Sequence, residues 1–234
     1  MPIQRTCRHP IPTLVVCIAL WSSGTSATIL APGAFINLNG TTVAAEPDLA
    51  GTVIHDNLID FQVNDISGNP LFTGTYQDRV VRSDNTGNLI FAGRIRDLTS
   101  PLEHLVAVAD WSVDGFAGYQ TDVEYRTDGL GDLGPDTATR TADGNFVTFD
   151  FTPVLAPPEE SLFSSINTDA RFFALTGTVN LGIEDFTREG AYVVGLEGIA
   201  APAAAVPLPA TIWLFGSGLI GLAGVVRRQH NSAG

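Results

Sequence analysis

Residues Phe72–Arg96 read FTGTYQDRVVRSDNTGNLIFAGRIR. Two runs rich in β-branched and aromatic residues, Phe72–Arg82 and Leu89–Arg96, flank the cluster Ser83-Asp84-Asn85-Thr86-Gly87-Asn88. Such runs suit a pleated, half-buried surface. Asp, Asn and Gly suit a turn, and Gly87 is available for a left-handed position. The stretch predicts a β-hairpin.

The same grammar extends on both sides. Strand-like runs are Phe35–Val43, Val53–Val63, Leu105–Trp111, Tyr119–Arg126, Phe146–Val154, Phe172–Ile183 and Ala191–Leu196. Tyr119, Thr121, Val123 and Tyr125 alternate with Gln120, Asp122 and Glu124, a period of two. No stretch of this region carries a 3.6-residue apolar period. With the hairpin, these runs make about nine short strands separated by turn clusters, which predicts an all-β antiparallel sandwich of jelly-roll-like type. The length from residue 28 to 199 suits one single-core domain.

Charge excludes several functions. All 25 acidic residues lie between Glu46 and Glu197, with eight arginines in that span and no lysine anywhere in the chain. Eight against 25 leaves that region near −17. Such a field repels phosphate backbones, so nucleic acid is not an expected partner. Lysine-based chemistry is excluded outright. The two cysteines, Cys7 and Cys17, fall in the leader described next, which leaves the remainder without a disulfide or a thiolate nucleophile.

The ends of the chain read as targeting segments. Arg5 and Arg8 precede the apolar run Ile11–Trp21, and Thr25-Ser26-Ala27 offers the small residues that signal peptidase accepts. A signal peptide at 1–27, cut after Ala27, is expected. At the other end Ala210–Val226 is an uncharged apolar run of 17 residues followed by Arg227 and Arg228. That is about the minimum for a membrane-spanning helix. The arginine pair belongs on the cytoplasmic side as a membrane stop. Residues 200–205 read as a small-residue linker and 229–234 as a short cytoplasmic tail.

The motif Val206-Pro207-Leu208-Pro209-Ala210, the run Trp213–Leu219, and Arg227-Arg228 together resemble the PEP-CTERM sorting signal, here with Leu208 where the common form has glutamate. The resemblance covers 206–228, about a tenth of the chain. It implies processing by an exosortase, a membrane-embedded peptidase of Gram-negative bacteria that often make exopolysaccharide. It implies transient anchoring in the inner membrane with the domain in the periplasm, then passage to the cell surface or biofilm matrix. The segments Gly74–Asp97, Thr121–Arg140 and Ile166–Leu175 also resemble a recurrent, uncharacterised β-domain found ahead of such signals.

Candidate chemistry in the body is sparse. Thr127–Asn145 (TDGLGDLGPDTATRTADGN) reads as one long loop. Gly129, Gly131 and Gly134 match G-x-G-x-x-G in form, but Pro135 and a polar run follow where a phosphate-binding helix would have to start. Asp128, Asp132 and Asp136 are hard oxygen donors on this loop and are candidate calcium ligands; the alternative is a solvated acidic turn. No other cofactor is indicated. His55-Asp56 and Glu103-His104 are adjacent pairs, and neighbours on a strand point to opposite faces. Trp111, Phe116 and Tyr119 could form a platform for sugar rings or belong to the core. The expected function is a non-enzymatic exported surface or matrix protein. The alternatives are a carbohydrate-binding module, calcium-dependent or not, and an extracellular hydrolase.

Overall fold

A computed structural model of the chain describes residues 29–102, 105–188 and 190–205. Among the described residues eleven strands form two antiparallel sheets. The five-stranded sheet contains β2 (Gly51–Asn64), β3 (Pro70–Ser83), β4 (Leu89–Thr99), β9 (Ser164–Thr168) and β6 (Thr121–Tyr125), in the order β2-β3-β4-β9-β6. The six-stranded sheet contains β1 (Phe35–Asn37), β7 (Thr137–Arg140), β8 (Val147–Leu155), β5 (Val106–Val113), β10 (Phe172–Asp185) and β11 (Gly190–Ala203), in the order β1-β7-β8-β5-β10-β11.

The expected hairpin is β3–β4. Its last pair is Arg82 opposite Leu89. The Ser83 N–H donates to Asn88 O at 2.9 Å and the Gly87 N–H to Ser83 O at 2.9 Å. Gly87 takes φ 71°, where a side chain would be strained. Around this hairpin the chain alternates between the sheets: the steps from β4 to β5, β5 to β6, β6 to β7, β8 to β9 and β9 to β10 each change sheet.

The sheets share one core between their inner faces, with residues from both in a single buried cluster. At its centre Trp111 on β5 stacks on Phe149 of β8, with ring centroids 4.7 Å apart, and meets the edge of Tyr76 on β3 at 5.7 Å. Gly93 on β4 lies beneath this pair, where a Cβ would strike the Tyr76 hydroxyl and the Trp111 ring. Period-two alternation explains the faces. In β6, Thr121 and Val123 are buried, while Asp122 and Glu124 lie on the other face and are only half-buried.

Three expectations need correction. The stretch 127–145 is not one irregular loop, because it contains β7, and Leu133 forms a parallel bridge to Ser161. The strand β9 lies inside a polar-looking stretch, SSINT, that carries no strand signature. The segment 200–205 is not a free linker. β11 runs to Ala203, with Leu175 opposite Ala200 and Phe172 opposite Ala203. Its small residues reflect close packing: a Cβ on Gly115 would strike that of Ala201. Among the described residues no helix is long and apolar enough to cross a membrane. The expected signal peptide with its cut after Ala27, the helix at 210–226 and the tail at 229–234 lie outside the described residues.

Candidate functional site

The outer face of the five-stranded sheet carries a concavity. Register places Asp56, Arg79, Ala92, Ser165 and Glu124 in one row across β2, β3, β4, β9 and β6. Directly opposite residues of an antiparallel pair share a face, and strands lie about 4.8 Å apart. Arg79 and Glu124 are therefore separated by about 14 Å of sheet. Between them stand only the small side chains of Ala92 and Ser165, which makes a trough. The next row, Val53, Val81 and Ile90, supplies an apolar floor.

Loops raise the walls. The segment before β9 runs beside β4: the Ile95 N–H donates to Ser161 Oγ and the Ser161 N–H to Ile95 O, both at 2.8 Å. This lays Phe163 over the sheet, its ring 4.4 Å from the Arg79 guanidinium and 5.6 Å from that of Arg94. Arg94 is buried, donates to Ser161 O at 3.2 Å and pairs with Glu160. On the opposite wall Leu49 comes from a single 3-10 turn, Pro47–Leu49. Arg126, Gly129 and Leu130 close the third side. The resulting open cavity measures about 270 Å³.

Two arginines of a strongly acidic domain thus line one cavity. Arg79 donates one terminal nitrogen to Asp56 at 2.8 Å, while its Nε is buried without a hydrogen-bond partner among the described residues. Arg126 donates Nε to Asp128 Oδ1 at 2.9 Å. Glu124, beyond Ser165, has its carboxyl pushed up to about 7 by burial, then by the nearby charges of Glu46 and Asp122. Its Oε2 is buried without a hydrogen-bond partner among the described residues. Arg79, Arg126, Ser165 and Glu124 belong to no motif in the sequence. Ser165 could not be placed without recognising β9, and the row exists only through the register.

Of the candidates drawn from the sequence, Gly129 lines the trough and Asp56 and Asp128 pair with its arginines; the others are placed elsewhere. Asp128, Asp132 and Asp136 are not gathered: their Oδ2 atoms accept from the backbone N–H of Val43, Glu160 and Thr152 respectively. Among the described residues no group of three or more His, Cys, Asp or Glu side chains is arranged to hold a metal ion. Gly131 packs against the Ser161 backbone and Gly134 against the Tyr125 ring, so these glycines serve close approach. Trp111 and Phe116 are core residues, which overturns the sugar platform built on them. His55 and Asp56 do face opposite ways. Asp56 accepts from Gln77 and Arg79, whereas His55 Nε2 lies 3.2 Å from Asp78 Oδ2, which also accepts the Ala200 N–H at 2.9 Å. Glu103 and His104 lie outside the described residues.

Separated from the end of β11 by Ala204 alone, residues 205–228 match the family model of the PEP-CTERM protein-sorting motif. The chain carries a PEP-CTERM sorting signal. PEP-CTERM signals are processed by exosortase, a membrane peptidase, and imply export with membrane-associated sorting. The matched stretch includes Val206–Ala210, Arg227 and Arg228. Neither the curated proteins nor the solved structures give a match to this chain.

Proposed function

We propose that this protein is a non-enzymatic component of the cell surface or extracellular matrix, delivered by its PEP-CTERM signal, with the outer-face trough as its binding surface. The observation that carries this reading is the sorting motif at 205–228, set directly against a folded domain. The route runs through signal peptidase, transient anchoring in the inner membrane and exosortase cutting near Pro209–Ala210. Saccharide of the surrounding matrix is the proposed environment.

Replacing Pro207 and Pro209 by alanine tests the route. The variant is expected to accumulate as an uncut, membrane-retained form, whereas the parent appears outside the cell with a shortened C-terminus by intact-mass analysis. The same mature C-terminus in both would overturn the role given to the motif.

Glu124 favours a second reading, an extracellular hydrolase. A carboxyl group raised to about 7, first by burial and then by the charges of Glu46 and Asp122, has the character of a general acid. Saccharide hydrolysis that is abolished in Glu124→Gln would favour this reading; no turnover by the parent favours the binding role.

A further inference from the structure

Resting on the reading of the trough as a binding surface, though not on how the domain is delivered, we propose that the trough binds a single carboxylate carried on a compact body with an apolar face. Arg79 and Arg126 line a cavity of about 270 Å³. Their planar N–H forks match carboxylate and phosphate groups bidentately, and a domain near −17 favours the singly charged carboxylate over the more highly charged phosphate. Among the described residues the buried Nε of Arg79 has no acceptor, and Asp56 is the one carboxylate its fork engages there. The acceptors already present leave both forks incompletely used: Asp56 takes one terminal nitrogen of Arg79, and Asp128 takes Nε of Arg126.

The rest of the ligand follows from the remaining walls. Val53, Val81 and Ile90 make the floor aliphatic, so the body presents C–H surface to it. The volume lies just below the usual range of about 300–1,000 Å³ for drug-sized ligands. It holds one ring or one amino-acid residue. The net charge limits the ligand further. A polyanion would bring many charges into a domain near −17, whereas one carboxylate meets mainly the local guanidinium pair. The chemistry is therefore a lone or terminal carboxylate, and it has two sources: the C-terminus of a peptide or a terminal uronic acid of a saccharide.

The test uses the full-length chain purified in a mild detergent, with N-acetyl-leucine and glucuronate as probes and N-acetyl-leucinamide and glucose as their neutral counterparts. Saturation-transfer NMR and titration are expected to show saturable binding of at least one carboxylate, at least tenfold weaker binding of its neutral counterpart, and weakening with added salt. Binding by N-acetyl-leucine identifies a peptide end as the source, and binding by glucuronate a saccharide end. Arg126→Gln is expected to weaken binding at least tenfold, while Arg96→Gln, which removes the same charge outside the trough, leaves it unchanged. Ala92→Leu fills the trough while keeping both guanidinium groups, and is expected to abolish binding without a change in charge. Failure of both carboxylates to bind at 10-fold molar excess in the millimolar range, equal binding of the neutral counterparts, or parental affinity in Ala92→Leu would overturn the proposal.

Discussion

Arg140 shows how one residue can serve a fold without taking part in its chemistry. It lies on β7, on the same face as the buried Ala138, and is itself buried. Its guanidinium donates to the carbonyl oxygens of Leu30, Phe116, Tyr119 and Gly144 and to Thr121 Oγ1, all between 2.8 and 3.1 Å. These acceptors come from segments far apart in the chain, so one side chain ties the first described residues to the turn after β5. A methionine fills similar volume but donates nothing. Each orphaned buried acceptor costs about 1–3 kcal/mol, so Arg140→Met is expected to lower stability by at least about 3 kcal/mol, read by urea denaturation. Lysine has a single point of donation and cannot span the set, so Arg140→Lys should recover less than half of the loss. Gly93 makes the opposite case, where the requirement is absence. A methyl there would meet Tyr76 and Trp111. Gly93→Ala is expected to cost about 1–3 kcal/mol through overpacking, checked in the same denaturation series.

At the scale of elements, legibility followed the size of the inward-facing side chains. β3, β4, β5 and β10 each present large apolar residues to the core, such as Phe72, Ile95, Trp111 and Leu181, and their runs were readable. β9 offers only Ile166 as a large inward residue, and β7 offers Ala138 and an arginine. Neither has a period-two apolar signal, yet both lie inside sheets where neighbours set their conformation. The trough was illegible for the same reason, since Ser165 sits on β9 and Arg79 joins Glu124 only across three strand pairs. The end of β11 misled differently: small residues that suggest a linker also suit two backbones in close contact. That end is held by the Asp78 carboxylate, which takes the Ala200 N–H and lies against His55. Only Ala204 separates β11 from the matched sorting motif. Ala203 to Pro207 spans at most about 14 Å when fully extended. The folded domain therefore ends within a few residues of the sorting motif. Asp78→Ala leaves the buried Ala200 N–H without its acceptor, which costs about 1–3 kcal/mol locally. Amide hydrogen exchange at Ala200 and Ala201 is expected to rise about tenfold or more, with strands β3 and β4 unchanged.

The whole molecule couples stability to pH through carboxyl groups shifted in both directions. Glu124 is raised to about 7 by burial and by Glu46 and Asp122. Asp78 and Asp110 are raised by burial first, Asp110 further by Asp150 and Glu184, and Glu46 is raised by burial. For a raised carboxyl group, the folded state keeps its proton while the unfolded chain has already released it. Between the unfolded value near 4.5 and about 7, the folded state binds more protons, so stability falls as pH rises through that window. Asp128 runs the other way, lowered by its hydrogen bond from Arg126. Asp56 is also lowered: burial pushes it up, but its bonds from Arg79 and Gln77 outweigh that. Their contribution is present above the ordinary aspartate value and is lost as pH falls below it. The two groups bracket an optimum in mildly acidic solution. The net charge near −17 works in the same direction, since losing negative charge relieves self-repulsion in the compact state. The melting temperature, followed by circular dichroism at constant ionic strength, is expected to peak near pH 5 and decline on both sides. Glu124→Gln separates the local cause from the global one. Glutamine stays neutral at every pH, so the decline between pH 5 and 7 should become shallower and the variant should be more stable than the parent at pH 8. If repulsion across the whole surface were the main cause, added salt at pH 8 would restore the lost stability in parent and variant alike. A melting temperature that rises from pH 5 to 8 in the parent would show that Glu124 is solvated and ionised in the fold.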